Sequence, residues 1–401
     1  MVTRLGSESI DAAVLAADGN GLGAVRSLGR RGLSVATIGH SATDVSLHSR
    51  YPKQKYCLTA QGEADKEEQL LVILEKLRGN DIVLIPTSDW FVTMVSKHKG
   101  ELSGRFKFCL PPREIADLMI DKARETEKVS GIVPIPKTVR VLPDTPDEFL
   151  SMLSLPIIVK PRSHEHMVLG KKNVQLFSRE EVEAFYRKFG AVKDRVIAQE
   201  IIEGEDGLQC VCNCFFDENS NLLQAFTFQR LRLSPSHYGV TSYALSGYNQ
   251  EVIERTATLG KQLGYVGPAM AEFKLDRRDG MYKFLELNPR LGMCNYFDTV
   301  CGVDNVYATY LLAKGEKPAP SNGMKSGVVF LSLYEDFYSR RRDGEKPVGI
   351  LKDYLSNATK PHVFMYFTWR DPMPAIMHGL RLSKAVTKSL IRKLHGVITR
   401  R

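Results

Sequence analysis

Glu286 and Asn288 stand two residues apart in KFLELNPRLG, positions 283–292, directly before Pro289 and Arg290. Phe284, Leu285 and Leu287 mark the run as a strand, and on a strand residues i and i+2 project from one face. A carboxylate beside an amide oxygen is an all-oxygen pair suited to a hard cation such as Mg²⁺. Arg290 adds a fixed positive charge for an anionic group. Taken alone, the stretch reads equally well as a half-buried strand with a polar outer edge. Glu272 changes the balance. It lies on MAEFKLD, the first of two alternating strands around DRRDG, and Glu286 lies on the second. The two glutamates are equally far from a centre near Asp279, so a hairpin brings them opposite each other. Carboxylates gathered this way repel unless a cation neutralises them. Lys122 and Lys160, each at the end of an apolar run, join Arg290 as charges suited to a polyphosphate. Nucleotide plus Mg²⁺ is the economical reading.

The elements that must position these groups are legible in outline. DAAVLAADG, SVATIG and DIVLIPTSD are apolar strands alternating with helical patterns in GNGLGAVRSLGRRG and EEQLLVILEKLRG, the rhythm of an open parallel α/β sheet. Gly19, Gly21 and Gly23 occupy the place of a dinucleotide fingerprint. The third glycine of that pattern is Ala24, however, and the second strand ends in Gly39-His40 with no acid for a ribose. The expectation is a tight turn near a substrate pocket, with Gly19-Asn20-Gly21 lining the acceptor or donor site and binding no NAD. IADLMIDKARETEKVSG reads as one helix carrying Asp121 and Lys122, followed by an extended linker at Pro134 and Pro136. LPIIVKPR is a short buried strand delivering Lys160. SREEVEAFYRKFG is a helix capped by Ser178. VIAQEIIEGED runs from strand into a charged turn containing Glu200. LQCVCNCFF and LLQAFTFQRLRL form an antiparallel pair, and QEVIERTATLGKQLG is a helix ended by glycine.

Composition bounds the possibilities. The 401 residues exceed one ordinary core, and 43% hydrophobic with 25% charged residues is the profile of a globular protein. No run of about 18 apolar residues is present, and the N-terminus reads as a first strand, so the default expectation is a cytoplasmic protein. Seven cysteines without repeated CxxC spacing argue against a disulfide framework or a structural zinc site. Cys210, Cys212 and Cys214 alternate and read as small buried residues. The net charge of +9 admits nucleic acid, a membrane surface or an anionic small substrate. No nucleic-acid-binding pattern is evident, and no nucleic-acid partner is expected.

The order DK, IIVKPR, AQEIIEGED, AEFKLD and FLELNPR resembles the ATP-grasp superfamily, and within it the carboxylate–amine ligases similar to D-aspartate ligase. The resemblance covers roughly 121–315. It implies an N-terminal open parallel α/β domain (1–117), an ATP-grasp α+β nucleotide-binding and catalytic domain (118–320) and a C-terminal extension (321–401). It implies ATP and Mg²⁺, with Mn²⁺ as a substitute, and small-molecule carboxylate and amine substrates. By the same resemblance Lys122 and Lys160 contact ATP phosphates. Glu200 accepts from the adenine amino group, and the backbone of Ile202 completes that recognition. Asp206, or less readily Glu205, holds the ribose. Glu272, Glu286 and Asn288 coordinate the metal. Arg290 stabilises the transferring phosphoryl group or the acyl phosphate. Arg230 and Arg232, two apart and expected to face one way, resemble the family's basic residues near the γ-phosphate and the carboxylate; a solvated face is the plainer reading of that pair. One departure stands out. Where many members have a glycine-rich loop over the phosphates, this chain has Ser163-His164-Glu165-His166, and glycine returns only at Gly170. His164 and His166 are candidates for phosphate or substrate contact.

A carboxylate is a poor electrophile, and activation by ATP requires no side-chain nucleophile, in keeping with the lack of Ser-His-Asp, Cys-His or GxSxG arrangements. The other readings are an ATP-grasp enzyme with a thiol or hydroxyl acceptor, a nucleotide-binding module without turnover and, more distantly, a nicotinamide dehydrogenase. VVFLSLYEDFYSRRRDG either extends the nucleotide domain or packs beside it. Trp369 and Arg370 are candidates for substrate contact, core packing or a surface ion pair. Residues 380–401 carry seven basic and no acidic residues. Written on a helix they place Leu382, Val386, Leu390, Leu394 and Val397 along one stripe. That predicts a terminal helix packed on the protein or, alternatively, lying on an anionic membrane surface.

Overall fold

Three short runs, Ala12–Ala16, Val35–Gly39 and Ile82–Pro86, are buried at every position. Strands apolar on both faces belong in the middle of a covered parallel sheet. The computed structural model, which describes residues 9–16, 18–162 and 168–383, places them there. The sheet order is Pro52–Cys57, Val35–Gly39, Ala12–Ala16, Ile82–Pro86, Phe106–Lys107, and every pairing is parallel.

A second sheet of four antiparallel strands runs Thr138–Val139, Val196–Glu200, Ile157–Pro161, Val174–Leu176. The helices Pro146–Met152 and Arg179–Phe189 share its apolar core through Phe149 and Phe185. Ser178 caps the latter helix as expected, accepting from the Glu181 amide.

The third sheet has seven strands: Met281–Asn288, Gly267–Asp276, Gln209–Phe216, Leu222–Ser234, Val240–Ser246, Val329–Leu331 and His362–Phe364. The three cysteines alternate along Gln209–Phe216 into one apolar core with Phe273 and Phe284. All three are free thiols there. The last two strands settle the role of the C-terminal region. Val329–Leu331 pairs with Val240–Ser246, so the segment extends this sheet and does not pack beside it.

Two expectations are corrected at the local level. The glycine-rich stretch is not a turn: the helix Asp18–Arg30 starts at once, and Gly19, Gly21 and Gly23 lie buried within its first two turns. A Cβ at Gly21 would run into Ala16, and one at Gly23 into Asn295. These glycines serve close approach between elements. Asn20 between them does reach the central cavity, while its amide donates to the carbonyls of Thr87 and Leu291. The helix expected through Asp121 is two helices, Arg113–Ile120 and Lys122–Val129. Asp121 leaves helical geometry (φ −88°, ψ 103°) and caps the second by accepting from Ala123 and Arg124. Lys122 therefore sits at the start of a new helix, its own amide bonded to the Arg162 carbonyl.

The N-terminal sheet and the far end of the chain are joined by Arg26, which is fully buried. Its guanidinium donates to Asp371 and to the carbonyls of Met365 and Tyr366. A buried guanidinium is tolerated when its donors are matched in this way. No helix among the described residues is long and apolar enough to cross a membrane. Residues 163–167, where a loop over the phosphates was expected, and the tail from 384 onward lie outside the described residues.

Candidate active site

A cavity of about 490 Å³ opens between the four-stranded and seven-stranded sheets. One wall supplies Lys160, Gln199, Glu200 and Ile202; the other supplies Arg230, Glu272, Glu286 and Asn288. Lys122 and Arg290 complete its charged end. Nine of the eleven predicted site residues thus line one cavity, although they are up to 168 positions apart, from Lys122 to Arg290.

Glu272 is the direct cross-strand partner of Glu286, as expected, but the register shifts by one residue at Leu285 to bring them opposite. Around them runs a chain of alternating charge. Lys122 Nζ lies 2.8 Å from Glu286 Oε2. Asn288 Oδ1 accepts from Arg290 Nη2 at 3.0 Å, and Arg290 Nε donates to Asp89 Oδ1 at 2.8 Å. Arg230 grips Glu272 with both terminal nitrogens, Nη2 lying 2.6 Å from Oε1. Lys122 holds the Glu286 carboxyl well below the usual carboxylate range. Burial opposes the charge on Lys122, but Glu286 and Glu125 outweigh it and keep the ammonium above the ordinary lysine range.

This donor set fits Mg²⁺. Glu272, Glu286 and Asn288 offer oxygen donors to a cation. Among the described residues no group of three or more His, Cys, Asp or Glu side chains forms a metal cage. Two carboxylates and an amide are what Mg²⁺ takes when phosphate oxygens and water complete its octahedron.

Lys160 is poised differently from Lys122. Burial, reinforced by Lys122, pushes its ammonium down to about 8. Its Nζ donates to Gln199 Oε1 at 3.3 Å. Nucleotide phosphate favours the charged form of a lysine. At pH 8, nucleotide binding is therefore expected to take up about half a proton at Lys160, the remainder being bound already. Lys122, Lys172, Glu125 and Glu286 face it and share in the coupling. Calorimetry in two buffers of different ionisation enthalpy measures the uptake, and Lys160→Met is expected to reduce it by that amount. An unchanged uptake in the variant would detach Lys160 from the phosphates.

The residues expected to hold adenine and ribose are placed unequally. Ile202 and Glu200 line the cavity. The Glu200 Oε1 atom accepts from the Ser154 amide at 3.0 Å, which orients the carboxylate. Asp206 is set one step back: its Oδ1 lies 3.1 Å from Nδ1 of His237, and His237 lines the cavity. Glu205 pairs outward with Arg277.

One expectation fails here. Arg232 does not share a face with Arg230. The register of Leu222–Ser234 shifts between them, so Arg230 opposes Ala244 and Arg232 opposes Tyr243, the adjacent residue. Adjacent strand positions point to opposite faces, and the one-residue bulge reverses the arginine. Arg232 pairs with Asp336 and Asp353 and lies over the Tyr243 ring at 3.8 Å, outside the cavity. Trp369 is 91% exposed and packs edge-on against Phe367, and neither it nor Arg370 lines the cavity.

Sequence reading also passed over Gln199, Lys172, Lys274, His237 and Glu125. Lys274 lies two residues past Glu272 on the same strand face, a signal that was present. The others carry no pattern of their own.

Residues 218–319 match the family model described as the carbamoyl-phosphate synthase L chain, ATP binding domain. The chain is 26% identical over 242 residues to D-aspartate ligase of Enterococcus faecium (strain Aus0004), covering 55% of this chain and 56% of that protein. The chain thus spans just over half the length of this curated relative. Among solved structures, the biotin carboxylase–β,γ-ATP complex from Campylobacter jejuni superposes with a TM-score of 0.61 at 17% identity, over 80% of this chain and 74% of that one. N5-carboxyaminoimidazole synthetase from Staphylococcus aureus gives 0.61 at 15% identity, over 86% and 89%. The biotin carboxylase domain of Hydrogenobacter thermophilus 2-oxoglutarate carboxylase, whose structure contains MgADP and bicarbonate, gives 0.59 at 16% identity over 79% and 74%.

Proposed function

We propose that this ATP-grasp protein is an ATP-dependent ligase that joins a carboxylate to an amine through an acyl phosphate, releasing ADP and phosphate. The observation that carries the reading is the Glu272–Glu286 register with Asn288 beside it, flanked by Lys122, Lys160 and Arg290 in one cavity. Glu272, Glu286 and Asn288 would hold Mg²⁺, or Mn²⁺ in its place, and the bound cation would screen the charge of the phosphate oxygens.

The chain's own residues supply orientation and fixed charge. Lys122 and Lys160 sit where phosphate oxygens enter, and their charges offset the anionic tail. Ile202 and Glu200 hold the base, which sets the depth of the nucleotide. Arg290, braced by Asp89, presents a planar fork to the oxygens of the migrating phosphoryl group. In the first step a carboxylate oxygen of the acid bonds to the γ-phosphorus as the bond to ADP breaks. In the second the amine nitrogen attacks the activated carbonyl carbon, phosphate leaves, and the nitrogen loses a proton. The D-aspartate ligase relative supports an amino-acid substrate class. The cavity's enclosure between two sheets supports exclusion of water from the acyl phosphate.

The test is ADP release against panels of acids, bicarbonate included, and of amines, with hydroxylamine as a trap. The expected result is an acid-dependent hydroxamate and ADP formed in step with an amide product. ADP release that depends on a thiol or an alcohol, with no response to any amine, would replace this reading.

A further inference from the structure

Glu125 is only 3% exposed, and nothing so far in the proposed chemistry uses it. It lies on the helix Lys122–Val129, whose sequence, KARETEKV, is otherwise strongly polar. A glutamate is rarely buried without a partner. The partner here is a backbone group: Oε1 accepts from the Leu287 amide at 2.7 Å. Leu287 is the residue between Glu286 and Asn288.

The strand Met281–Asn288 is the edge of the seven-stranded sheet. Its outward amides lack a neighbouring strand and need other acceptors. Phe284 finds the Pro134 carbonyl. At the functional end the acceptor is Glu125, one helical turn after Lys122. The same helix therefore holds this strand end twice, by Lys122 on the Glu286 carboxylate and by Glu125 on the next amide. The Leu287 side chain is anchored on the opposite side, in the core. With both sides fixed, the strand cannot roll, and the directions of Glu286 and Asn288 are set together.

We infer that Glu125 is a positioning residue that sets the spacing of the Glu286 and Asn288 oxygens by clamping the amide between them. The inference rests on the assignment of those oxygens to Mg²⁺. Outer groups that orient metal ligands change metal affinity by about 10–100-fold when removed. A residue that merely braces the fold would alter nucleotide binding equally with and without metal.

The test is calorimetric titration of the full-length protein with ADP, in Mg²⁺ and in chelator. In the wild type Mg²⁺ is expected to tighten ADP binding. Glu125→Ala is expected to lose about tenfold or more of that tightening, with metal-free ADP affinity within about twofold of wild type. Glu125→Gln, whose amide oxygen accepts the same N–H, is expected to restore it. Should Glu125→Ala fail to fold, Glu125→Asp, one methylene too short for the bond, is expected to show the same selective loss. Retention of the Mg²⁺ effect in the variant, or equal losses with and without metal, overturns the inference. Glu286→Gln separates the two levels. If Mg²⁺ still tightens ADP binding in that variant, the metal assignment itself fails and takes the clamp with it.

Discussion

Glu286→Gln is expected to reduce kcat for ATP turnover by about a thousandfold or more, with the protein still folded. The substitution removes a charge from the cross-strand carboxylate pair in the cavity while keeping its size and one oxygen. That oxygen still accepts from Lys122 Nζ, now at 2.8 Å from Glu286, so the helix start keeps its contact. The carboxylate's attraction for Lys122 and Lys160 is lost, leaving two lysines with less to offset their repulsion, and a modest fall in Tm follows. Metal-free ADP should bind as well as before or better, because a negative charge has left the phosphate end. Steady-state ADP release with a thermal melt is the measurement. Wild-type turnover at an ordinary Tm would show that Glu286 holds no metal.

Replacing Arg290 is expected to have the next largest effect. Arg290→Ala should lower kcat about a thousandfold and leave KM for ATP within a few-fold, since a group aimed at the migrating phosphoryl acts mainly in the transition state. The guanidinium is shared between Asn288 Oδ1, the Leu291 carbonyl and Asp89 Oδ1. Asp89 opens the helix Asp89–Lys97, so Arg290 also ties that helix to the end of the strand Met281–Asn288. Arg290→Lys keeps the charge but not the fork, and is expected to recover no more than about a tenth of the loss on a logarithmic scale that Arg sets. Single-turnover kinetics separates chemistry from release. A kcat within threefold of wild type in the alanine variant would leave Arg290 as a strut between domains only.

The site was legible where short-range geometry governs it. Glu286 and Asn288 share a face because strand residues alternate. Ser178 caps its helix through an amide three residues away. The alternating cysteines fill one core face for the same reason of period. Each of these depends on neighbours close in the chain, and residue types alone determine them.

The tertiary structure decided the rest. Arg230 and Arg232 were separated by a bulge that answers to the partner strand and to Asp336, 104 positions beyond Arg232. Gly21 and Gly23 are required by Ala16 and Asn295 packing against a helix, and Asn295 comes from the far half of the chain. Arg26 is buried because Asp371 waits 345 residues later. Glu125 looks like any exposed helix glutamate until the sheet edge arrives beside it with an unpaired amide. Backbone period and turn chemistry are written locally. Which face is buried, which charge is matched and where a strand slips by one residue are set by surfaces that meet only when the chain has folded.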